Sequence, residues 1–347
     1  MNKEEELLQK FKEVHPKLID DILGCPELKE VSIVREWYRK VFEYNTAGGK
    51  LNRGLLVVQC YLSMVEKCQI NDENTHLACV LGWCLEMLQS WLLVIDDLMD
   101  NSSTRRGKPC WYLTNDLGTK AANDGLIIEA ATYYILKKYF RNKPYYVDVL
   151  ELFHSVTFQT TLGQCLDTHS YLTNGKLDFD KTSMDLFLQI AKYKTAYYTL
   201  YMPIALGMLM ARQNDTDLLK AIENTVIPIG IYFQVQDDYL DCFGDPSTTG
   251  KIGTDIQDGK CTWLLAKALE LGTPEQVALI KKNYGKDDAE SISKVKEVYT
   301  KIGMNGIYSD YEEKTYKEAV SAIESLPSSV SHEPFWGILR KIYKRER

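Results

Sequence analysis

Two groups of three aspartates, each spaced Asp-Asp-x-x-Asp, are the residues of this chain best suited to chemistry. They are Asp96, Asp97, Asp100, Asp237, Asp238 and Asp241. On a helix, residues four apart share a face, so the first and third aspartates of each group stack about 6 Å apart along the axis. Carboxylate oxygens are hard ligands that suit Mg²⁺, which is usually held by one or two carboxylates together with substrate phosphates. The two groups therefore predict a site that binds divalent ions and a diphosphate together.

An acidic, solvated helix surface is the simplest alternative to a metal site. Like charges one turn apart destabilise a bare helix, and each group follows an apolar stretch, Trp91–Ile95 or Ile229–Phe233, where solvated charge is poorly placed. The segments 89–108 and 234–251 also share one order, a helix with the aspartates and then a polar loop with basic residues. A calcium loop would need a D-x-D-x-D-G…E spacing, which neither group has. The repeat favours the metal site over both alternatives.

Basic residues that could hold phosphate lie near both groups. Lys50 and Arg53 are three apart in GGKLNRG (48–54), where glycines permit close backbone approach and a predicted helix start favours anions. The others are Arg105, Arg106, Lys194, Lys251 and Lys260, with Asp255 between the last two. Each ion pair could contribute up to about 4 kcal/mol of gross attraction at an effective dielectric near 20. Taken singly each would be a surface salt bridge, but together they predict phosphate binding.

Helices must position these residues. Apolar residues recur at three- and four-residue spacing in seven segments. These are Leu7–Leu23, Leu55–Val65, His76–Met99, Gly125–Phe140, Val147–Leu166, Ile229–Tyr239 and Tyr316–Ile323. Glycine and proline clusters separate them, and no low-complexity linker divides the chain. We therefore predict an all-α protein with a single domain over residues 1–347.

Composition excludes several classes of function. The chain has 347 residues, 45% of them hydrophobic, and a net charge of −7, which argues against nucleic-acid binding because that needs a basic footprint. Nine cysteines without a CxxC pair indicate reduced thiols. The apolar run 80–95 is broken by Glu86 and Gln89, so we expect a buried helix and no membrane insertion. With no targeting signal in the sequence, we expect a cytoplasmic protein.

Six longer stretches resemble the short-chain trans-prenyltransferases of the polyprenyl synthetase family, specifically eukaryotic farnesyl diphosphate synthases. The stretches are GGKLNRG (48–54), DDLMDNSSTRRGKPCWY (96–112), FQTTLGQCLD (158–167), YKTAYY (193–198), YFQVQDDYLDCFGDPSTTGKIGTDIQDGK (232–260) and KIYKR (341–345). The resemblance implies an isoprenoid synthase bundle of mostly antiparallel helices around a central active-site cavity, usually a homodimer. It also implies three Mg²⁺ ions per active site, with Mn²⁺ as a substitute.

The same resemblance assigns roles to single residues. Asp96 and Asp100 would bind two of the ions and Asp237 the third. The allylic diphosphate would contact Arg105, Lys194, Lys251 and Lys260, and isopentenyl diphosphate would contact Lys50, Arg53, Gln89 and Arg106. Thr195 and Gln234 would line the path of the developing carbocation, with Gln164 and Asp167 in the same cavity. Lys260 and Asp255 would support the second metal face, and Arg345 would close over isopentenyl diphosphate.

Two residues depart from the family pattern at the positions that would limit product length. Related farnesyl diphosphate synthases usually carry two aromatic residues at the fourth and fifth positions before the first aspartate, where this chain has Leu92 and Trp91. A smaller Leu92 would lengthen the pocket and a larger Trp91 would shorten it. Farnesyl diphosphate is the expected product, with geranyl diphosphate and then a longer chain as alternatives. The rival functions are a terpene synthase, a synthase of irregular monoterpenes and a non-catalytic helical binding protein.

Overall fold

The computed structural model describes residues 3–170, 172–173, 176–245, 248 and 253–345. Helices dominate these residues, and the strands among them form two short hairpins. The predicted all-α fold class is confirmed. The chain forms two compact units, Met1–Ser155 with Met202–Thr216, and Val156–Tyr201 with Asp217–Arg347. The single-domain organisation remains a prediction, and each unit is described by itself.

The first unit contains the longer amino-terminal helices and one hairpin. Its α-helices are Lys3–Leu23, Pro26–Glu30, Arg35–Asn45, Asn52–Met64, Asp72–Met99, Ala121–Phe140, the beginning of Tyr146–Cys165, and Met202–Met210. Short 3₁₀ helices lie at Ser32–Val34, Lys67–Gln69, Trp111–Asp116 and Gly118–Lys120. Strand Thr104–Arg105 pairs antiparallel with Lys108–Pro109. The intervening Arg106 and Gly107 both have positive φ, 53° and 73°, as a two-residue type I′ hairpin turn requires.

Helix Asp72–Met99 forms the centre of the first unit. Asn71 caps its amino terminus by accepting a hydrogen bond from the Asn74 backbone N–H. The helix is long and apolar enough to cross a membrane, but 78% of its most apolar window is buried inside the structure. It is therefore a core helix, as the break at Glu86 predicted. Its Gly82 touches Gly54 of helix Asn52–Met64 so closely that a Cβ added at Gly82 would lie 2.5 Å from the Gly54 carbonyl oxygen.

The second unit contains the carboxyl-terminal helices and the other hairpin. Its α-helices are the end of Tyr146–Cys165, Met184–Ile190, Thr216–Phe243, Trp263–Leu271, Pro274–Asn283, Ala289–Ile302, Met304–Glu324 and Glu333–Ile342. Two π-helical segments occupy Leu166–Ser170 and Ala191–Tyr201. Strand Leu172–Thr173 pairs antiparallel with Lys176–Leu177. Its buried core collects Phe187, Val235, Trp263, Leu265 and Tyr299.

Polar caps define several of the second unit's helices. Thr262 caps Trp263–Leu271 by accepting from the Leu265 N–H, and Thr273 forms a reciprocal capping box with Gln276. These caps occur where the sequence changes from polar to apolar. Because a polar cap lies outside the apolar pattern, apolar periodicity alone located helix interiors better than helix starts. Helix Thr216–Phe243, for example, begins 13 residues before the predicted Ile229.

Candidate active site

The first aspartate group lies at the carboxyl end of helix Asp72–Met99. Asp96 and Asp97 are in its last turn and Asp100 caps it, with the Asp100 N–H bonded to the Asp96 carbonyl at 2.9 Å. The helical conformation continues through Asp100, so Asp96 and Asp100 stack on one face as the spacing predicted. The carboxyl end of a helix carries the negative end of its macrodipole, where cations are favoured and carboxylates are not. The position itself therefore favours a bound cation.

Arg105 lies against this group. Its Nη2 is 2.5 Å from Asp97 Oδ1 and 3.5 Å from Asp96 Oδ2, and its Nε donates to the same Asp97 oxygen at 3.0 Å. Asp97 is only 4% exposed, whereas the Asp96 side chain is 19% exposed. Asp97 therefore fixes the arginine from inside, while Asp96 remains partly accessible.

The hairpin turn places Arg106 against the loop that contains Gly48 and Gly49. Arg106 donates from Nη1 to the Ala47 carbonyl at 3.0 Å, and a Cβ at Gly49 would lie 3.1 Å from its Cζ. Glycine at 48 and 49, with φ of 85° and 75°, gives the backbone room to approach the guanidinium. A cavity of about 170 Å³ lies between this loop and the hairpin, lined among others by Gly48, Gly49, Asp97, Arg105 and Arg106. The first unit thus contains a small pocket with two arginines in its wall.

Gln89 connects Arg53 to a buried glutamate, Glu86, which the sequence patterns did not assign to the site. With its amide oxygen towards Arg53, Gln89 accepts from Arg53 Nη1 at 2.8 Å and donates to Glu86 Oε2 at 3.2 Å. Glu86 is 3% exposed and accepts from the Gly54 N–H at 2.7 Å. Burial raises the pKa of Glu86, against the opposing effects of Gly54 and Arg53. Helix Asn52–Met64 begins beside exposed Lys50, as predicted.

The second aspartate group lies in the last two turns of helix Thr216–Phe243. Asp238 is 4% exposed and accepts from the Trp263 backbone N–H at 2.8 Å and from the Gln234 amide at 2.9 Å. Burial raises the pKa of Asp238; those two hydrogen bonds oppose the shift, and its acidic neighbours Asp237 and Asp241 add to it. The Asp237 side chain is 42% exposed. As in the first group, the second aspartate is buried and the first is accessible.

Thr195 reaches the second group through Gln234. The Thr195 hydroxyl donates to the Gln234 amide oxygen at 2.8 Å, and the amide nitrogen donates to Asp238. Asp241 accepts from the Asp255 backbone N–H at 3.1 Å, which ties the loop after the helix to the same group. The predicted Lys251 lies outside the described residues.

Asp167 binds two lysines in the second unit. Its Oδ2 is 2.5 Å from Lys194 Nζ and 3.3 Å from Lys260 Nζ, and Asp167 is 6% exposed. Lys194 lies in the π-helical segment Ala191–Tyr201, which rests on the backbone of helix Tyr146–Cys165 at Gly163. Widened helical turns of this kind are frequent at functional sites. Asp167 therefore positions both lysines rather than merely lining a cavity.

The two residues at the predicted length-limiting positions have different environments. Trp91 is 8% exposed and packs beside Gly125, where a Cβ would lie 3.2 Å from its Cδ1 and 3.0 Å from Ile95 Cδ1. Among the described residues, nothing accepts a hydrogen bond from the buried Trp91 Nε1. Leu92 is half-buried. Gly125 thus provides the space that a tryptophan needs at position 91.

The donor chemistry fits a divalent ion that is shared with a substrate. Accessible Asp96 and Asp237 offer carboxylate oxygens, the ligands that Mg²⁺ prefers. Within the described ranges, no three His, Cys, Asp or Glu side chains converge to hold an ion alone. Mg²⁺ commonly completes its shell with water and substrate phosphates, so this arrangement suits ions that bind together with a diphosphate.

Comparisons with known proteins agree over nearly the whole length of the chain. The polyprenyl synthetase model matches residues 35–302. "Farnesyl pyrophosphate synthase 1" of Cannabis sativa is 46% identical over 342 residues, 99% of each chain. The solved structure of T. brucei farnesyl diphosphate synthase complexed with risedronate superposes with a TM-score of 0.89 at 35% identity, covering 98% of this chain and 100% of that one.

The chain belongs to the polyprenyl synthetase family. The resemblance inferred from its motifs is thereby confirmed, and so is the predicted prenyltransferase class. "Farnesyl pyrophosphate synthase 2" of Lupinus albus is also 46% identical, over 97% of this chain and 98% of that relative. Membership of this synthetase family implies prenyl diphosphate substrates.

The residues missed from the sequence had weak signals. Glu86 was noted only as a break in an apolar run, although its position three residues before Gln89 puts both on one helix face. Gly163 had no signal, because a glycine inside a helical pattern shows nothing of the segment that packs on it.

Proposed function

We propose that this polyprenyl synthetase condenses isopentenyl diphosphate head to tail with dimethylallyl and then geranyl diphosphate, making farnesyl diphosphate. One observation carries the proposal: each Asp-Asp-x-x-Asp group ends a long helix, with accessible carboxylates beside fixed basic side chains. The full-length likeness to farnesyl pyrophosphate synthases at about 45% identity supports the same reaction and product.

Accessibility divides the six aspartates into two roles. Asp96, Asp100, Asp237 and Asp241 would ligate the ions. Asp97 and Asp238, grouped with the ligands by sequence, would instead hold their neighbours in place, because both are buried and accept hydrogen bonds from inside the protein. Three bound Mg²⁺ ions, or Mn²⁺ in their place, would neutralise charge on the departing diphosphate oxygens.

The basic side chains would divide between the two substrates. Arg105, Lys194, Lys251 and Lys260 would hold the allylic diphosphate, and Lys50, Arg53, Gln89 and Arg106 would hold isopentenyl diphosphate. Asp97 and Asp167 fix three of these cations before substrate arrives. Groups that are already oriented towards developing charge need little reorganisation during the reaction.

Ionisation breaks the allylic C–O bond, and the electron pair leaves with diphosphate. The isopentenyl double bond then attacks the allylic carbon, forming the new C–C bond and leaving a tertiary cation. Loss of a proton to the released diphosphate gives the product alkene. Thr195 and Gln234 would line the path of the cation, and their mutual hydrogen bond fixes the direction of their oxygens. Water must stay out, because it would quench the cation.

Product analysis tests the proposal directly. Purified protein is incubated with Mg²⁺, isopentenyl diphosphate and either dimethylallyl or geranyl diphosphate, and the products are separated by chain length. Farnesyl diphosphate is expected from both allylic substrates. Geranyl diphosphate as the only product would overturn the farnesyl assignment, and a longer product would show that Leu92 outweighs Trp91.

Alanine variants of the accessible aspartates test the metal site. Asp96→Ala and Asp237→Ala should each lower kcat by orders of magnitude, whereas Asp180→Ala, at a side chain 94% exposed, is the matched control. Unchanged rates in the first two variants would support a helical binding protein. Turnover of geranyl or farnesyl diphosphate alone to a hydrocarbon or alcohol would support a terpene synthase, and branched products would support an irregular-monoterpene synthase.

We also propose a homodimer, a single folding domain and a cytoplasmic location. Phe158 and Leu162 lie four apart on one helix face and are 72% and 43% exposed, which suits a protein contact. Sedimentation should give a dimer that Phe158→Asp weakens, and calorimetry should give one unfolding transition. A relative of Arabidopsis thaliana, 43% identical, is named mitochondrial. A fluorescent fusion would therefore decide the location.

A further inference from the structure

The hairpin that carries Arg106 needs support from outside. Its strands, Thr104–Arg105 and Lys108–Pro109, have two residues each, and an isolated two-stranded hairpin is marginally stable in water. Arg106 adds strain, because its φ of 53° is in the left-handed region that suits glycine or asparagine better than arginine. Strained backbone of this kind persists only where the surrounding structure holds it in place. The groups that hold the hairpin therefore also determine where the Arg106 guanidinium lies.

Tyr44 holds the second strand of this hairpin. Its hydroxyl donates to the Pro109 carbonyl at 2.8 Å, and Lys108 Nζ lies 5.3 Å from the centre of its ring. The ring also packs against Trp111, with centroids 5.0 Å apart. Trp111 is 4% exposed, and its indole N–H donates to Asp124 at 2.8 Å. A buried, hydrogen-bonded indole thus fixes the tyrosine ring, and the ring directs its hydroxyl at the strand.

The end of the helix that carries Tyr44 is itself held in place. Tyr44 is the penultimate residue of helix Arg35–Asn45, and Thr46 caps the helix. Thr46 is 2% exposed, and its N–H and its hydroxyl both donate to the Phe42 carbonyl, at 2.9 and 2.6 Å. The His15 Nε2 lies 2.6 Å from the same hydroxyl oxygen, and because that hydroxyl already donates to Phe42, the histidine is the donor. The Tyr44 hydroxyl therefore extends from a well-anchored helix end.

The two arginines of the hairpin differ in how far they depend on this support. Arg105 donates to one oxygen of the buried carboxylate of Asp97 through both Nε and Nη2. Arg106 donates to two carbonyls instead, that of Ala47 at 3.0 Å and that of Asn45 at 3.4 Å. The second of these distances is at the long end for a hydrogen bond, and neither carbonyl carries a formal charge. Loosening of the second strand should therefore move Arg106 more than Arg105.

We propose that Tyr44 is a positioning residue for isopentenyl diphosphate: its hydroxyl holds the Pro109 carbonyl and thereby keeps the Arg106 guanidinium against the loop that contains Gly48 and Gly49. The inference rests on the proposed function, because it takes Arg106 as a group that binds this substrate. Tyr44 acts through Arg106 and contributes no group of its own to the substrate. Its effect should therefore be specific to the substrate that Arg106 binds.

Tyr44→Phe removes only the hydroxyl and leaves the ring on Trp111. The lost hydrogen bond is neutral and partly exposed, so its contribution should be at the lower end of the usual range, about a two- to fivefold change in an equilibrium constant. We therefore expect the KM for isopentenyl diphosphate to rise about two- to fivefold. The kcat and the KM for geranyl diphosphate should stay unchanged, because Asp97 holds Arg105 independently of the second strand.

Steady-state kinetics of the full chain with isopentenyl and geranyl diphosphates test this expectation. Tyr139→Phe is the matched control, because it removes a hydroxyl that donates to Asp21 at 2.5 Å between two other helices, and it should change neither KM. The loss of kcat/KM in Tyr44→Phe must also vanish in the Arg106→Gln background, which isolates the coupling between the two residues. An unchanged KM for isopentenyl diphosphate, an equal rise for both substrates, or a loss that persists in Arg106→Gln would each overturn the proposal.

Hydrogen exchange gives a readout that needs no substrate. The Cys110 N–H donates to the Ser103 carbonyl at 3.1 Å, and it belongs to the same peptide group as the Pro109 carbonyl that Tyr44 holds. In Tyr44→Phe this amide should exchange about two- to fivefold faster than in the wild-type chain. An unchanged exchange rate would overturn the proposal. A failure of the proposed function would show separately, as absence of farnesyl diphosphate from the wild-type enzyme.

Discussion

Replacing Gly163 should strongly reduce catalysis because Lys194 lies directly on it. A Cβ at position 163 would be 2.1 Å from the Lys194 backbone nitrogen and 2.5 Å from the Lys194 Cα and the Tyr193 carbonyl carbon. All three obstructing atoms are backbone atoms, so no side chain can rotate away. Ordinary contact begins at 3.4 Å, and the two segments must therefore separate by about 1.3 Å in Gly163→Ala.

That displacement should reduce both stability and rate. Overpacking of a close contact typically costs about 1–3 kcal/mol. Lys194 and Thr195 would move with the segment, which lengthens the 2.5 Å contact of Lys194 with Asp167. A misplacement of about 1 Å in a positioning group can cost on the order of a hundredfold in rate. We therefore expect kcat to fall about a hundredfold while the protein still folds.

The assay compares kcat with isopentenyl and geranyl diphosphates against the thermal midpoint of each variant. Gly306→Ala is the matched control, because a Cβ there meets no atom within 4 Å and its helix should tolerate or prefer alanine. That variant should keep full activity and gain up to about 1 kcal/mol of stability. A Gly163→Ala enzyme with wild-type kcat and midpoint would refute the steric argument.

Three further predictions concern buried polar groups. Glu86→Gln should raise the KM for isopentenyl diphosphate and lower the free energy of unfolding by about 1–3 kcal/mol. The reason is that an amide cannot accept hydrogen bonds from both the Gly54 N–H and Gln89. An unchanged KM and an unchanged urea midpoint would contradict this. Asp124→Ala should cost about 2–5 kcal/mol in urea denaturation. Both its oxygens accept indole N–H groups, so the buried Trp111 donor and the half-buried Trp37 donor would lose their partner. Burial lowers the pKa of His15 from 6.5 to about 4, so the folded state keeps this histidine neutral. Its contribution to the free energy of unfolding therefore falls as the pH drops from 6.5 towards 4. His15→Gln should flatten that part of a plot of unfolding free energy against pH.

Spacing and periodicity predicted the parts of this molecule that depend on local geometry. The stacking of Asp96 and Asp100 follows from the helix repeat, and the structure shows it at the predicted helix end. The glycines at 48 and 49 likewise indicated that another group could approach the backbone closely. In the structure, the group that does so is the Arg106 guanidinium. For residues within about one helical turn of each other, local helix geometry largely determines how their side chains are arranged.

Long-range pairings could not be predicted from the same patterns. Asp167 is 27 residues from Lys194 and 93 from Lys260, and no periodicity connects them. Arg345 is 108 residues from Asp237. Which carboxylate fixes which cation depends on how helices pack, and packing is set by side-chain shapes summed over a whole core. Resemblance to a family supplied the roles of these residues without supplying their partners.

The two acidic groups share an electrostatic design that stability alone does not explain. The first group ends its helix and the second reaches the last turn of its helix at Asp241; at such a carboxyl terminus the macrodipole disfavours a carboxylate by about 0.3–1 kcal/mol. Each also has one arginine on an accessible aspartate, Arg105 on Asp96 and Arg345 on Asp237, at 3.5 and 3.4 Å. Both contacts are long, so neither arginine closes tightly on its accessible aspartate. An accessible carboxylate near the negative end of a helix interacts favourably with added positive charge, and that is the property which a site for divalent ions and diphosphate requires.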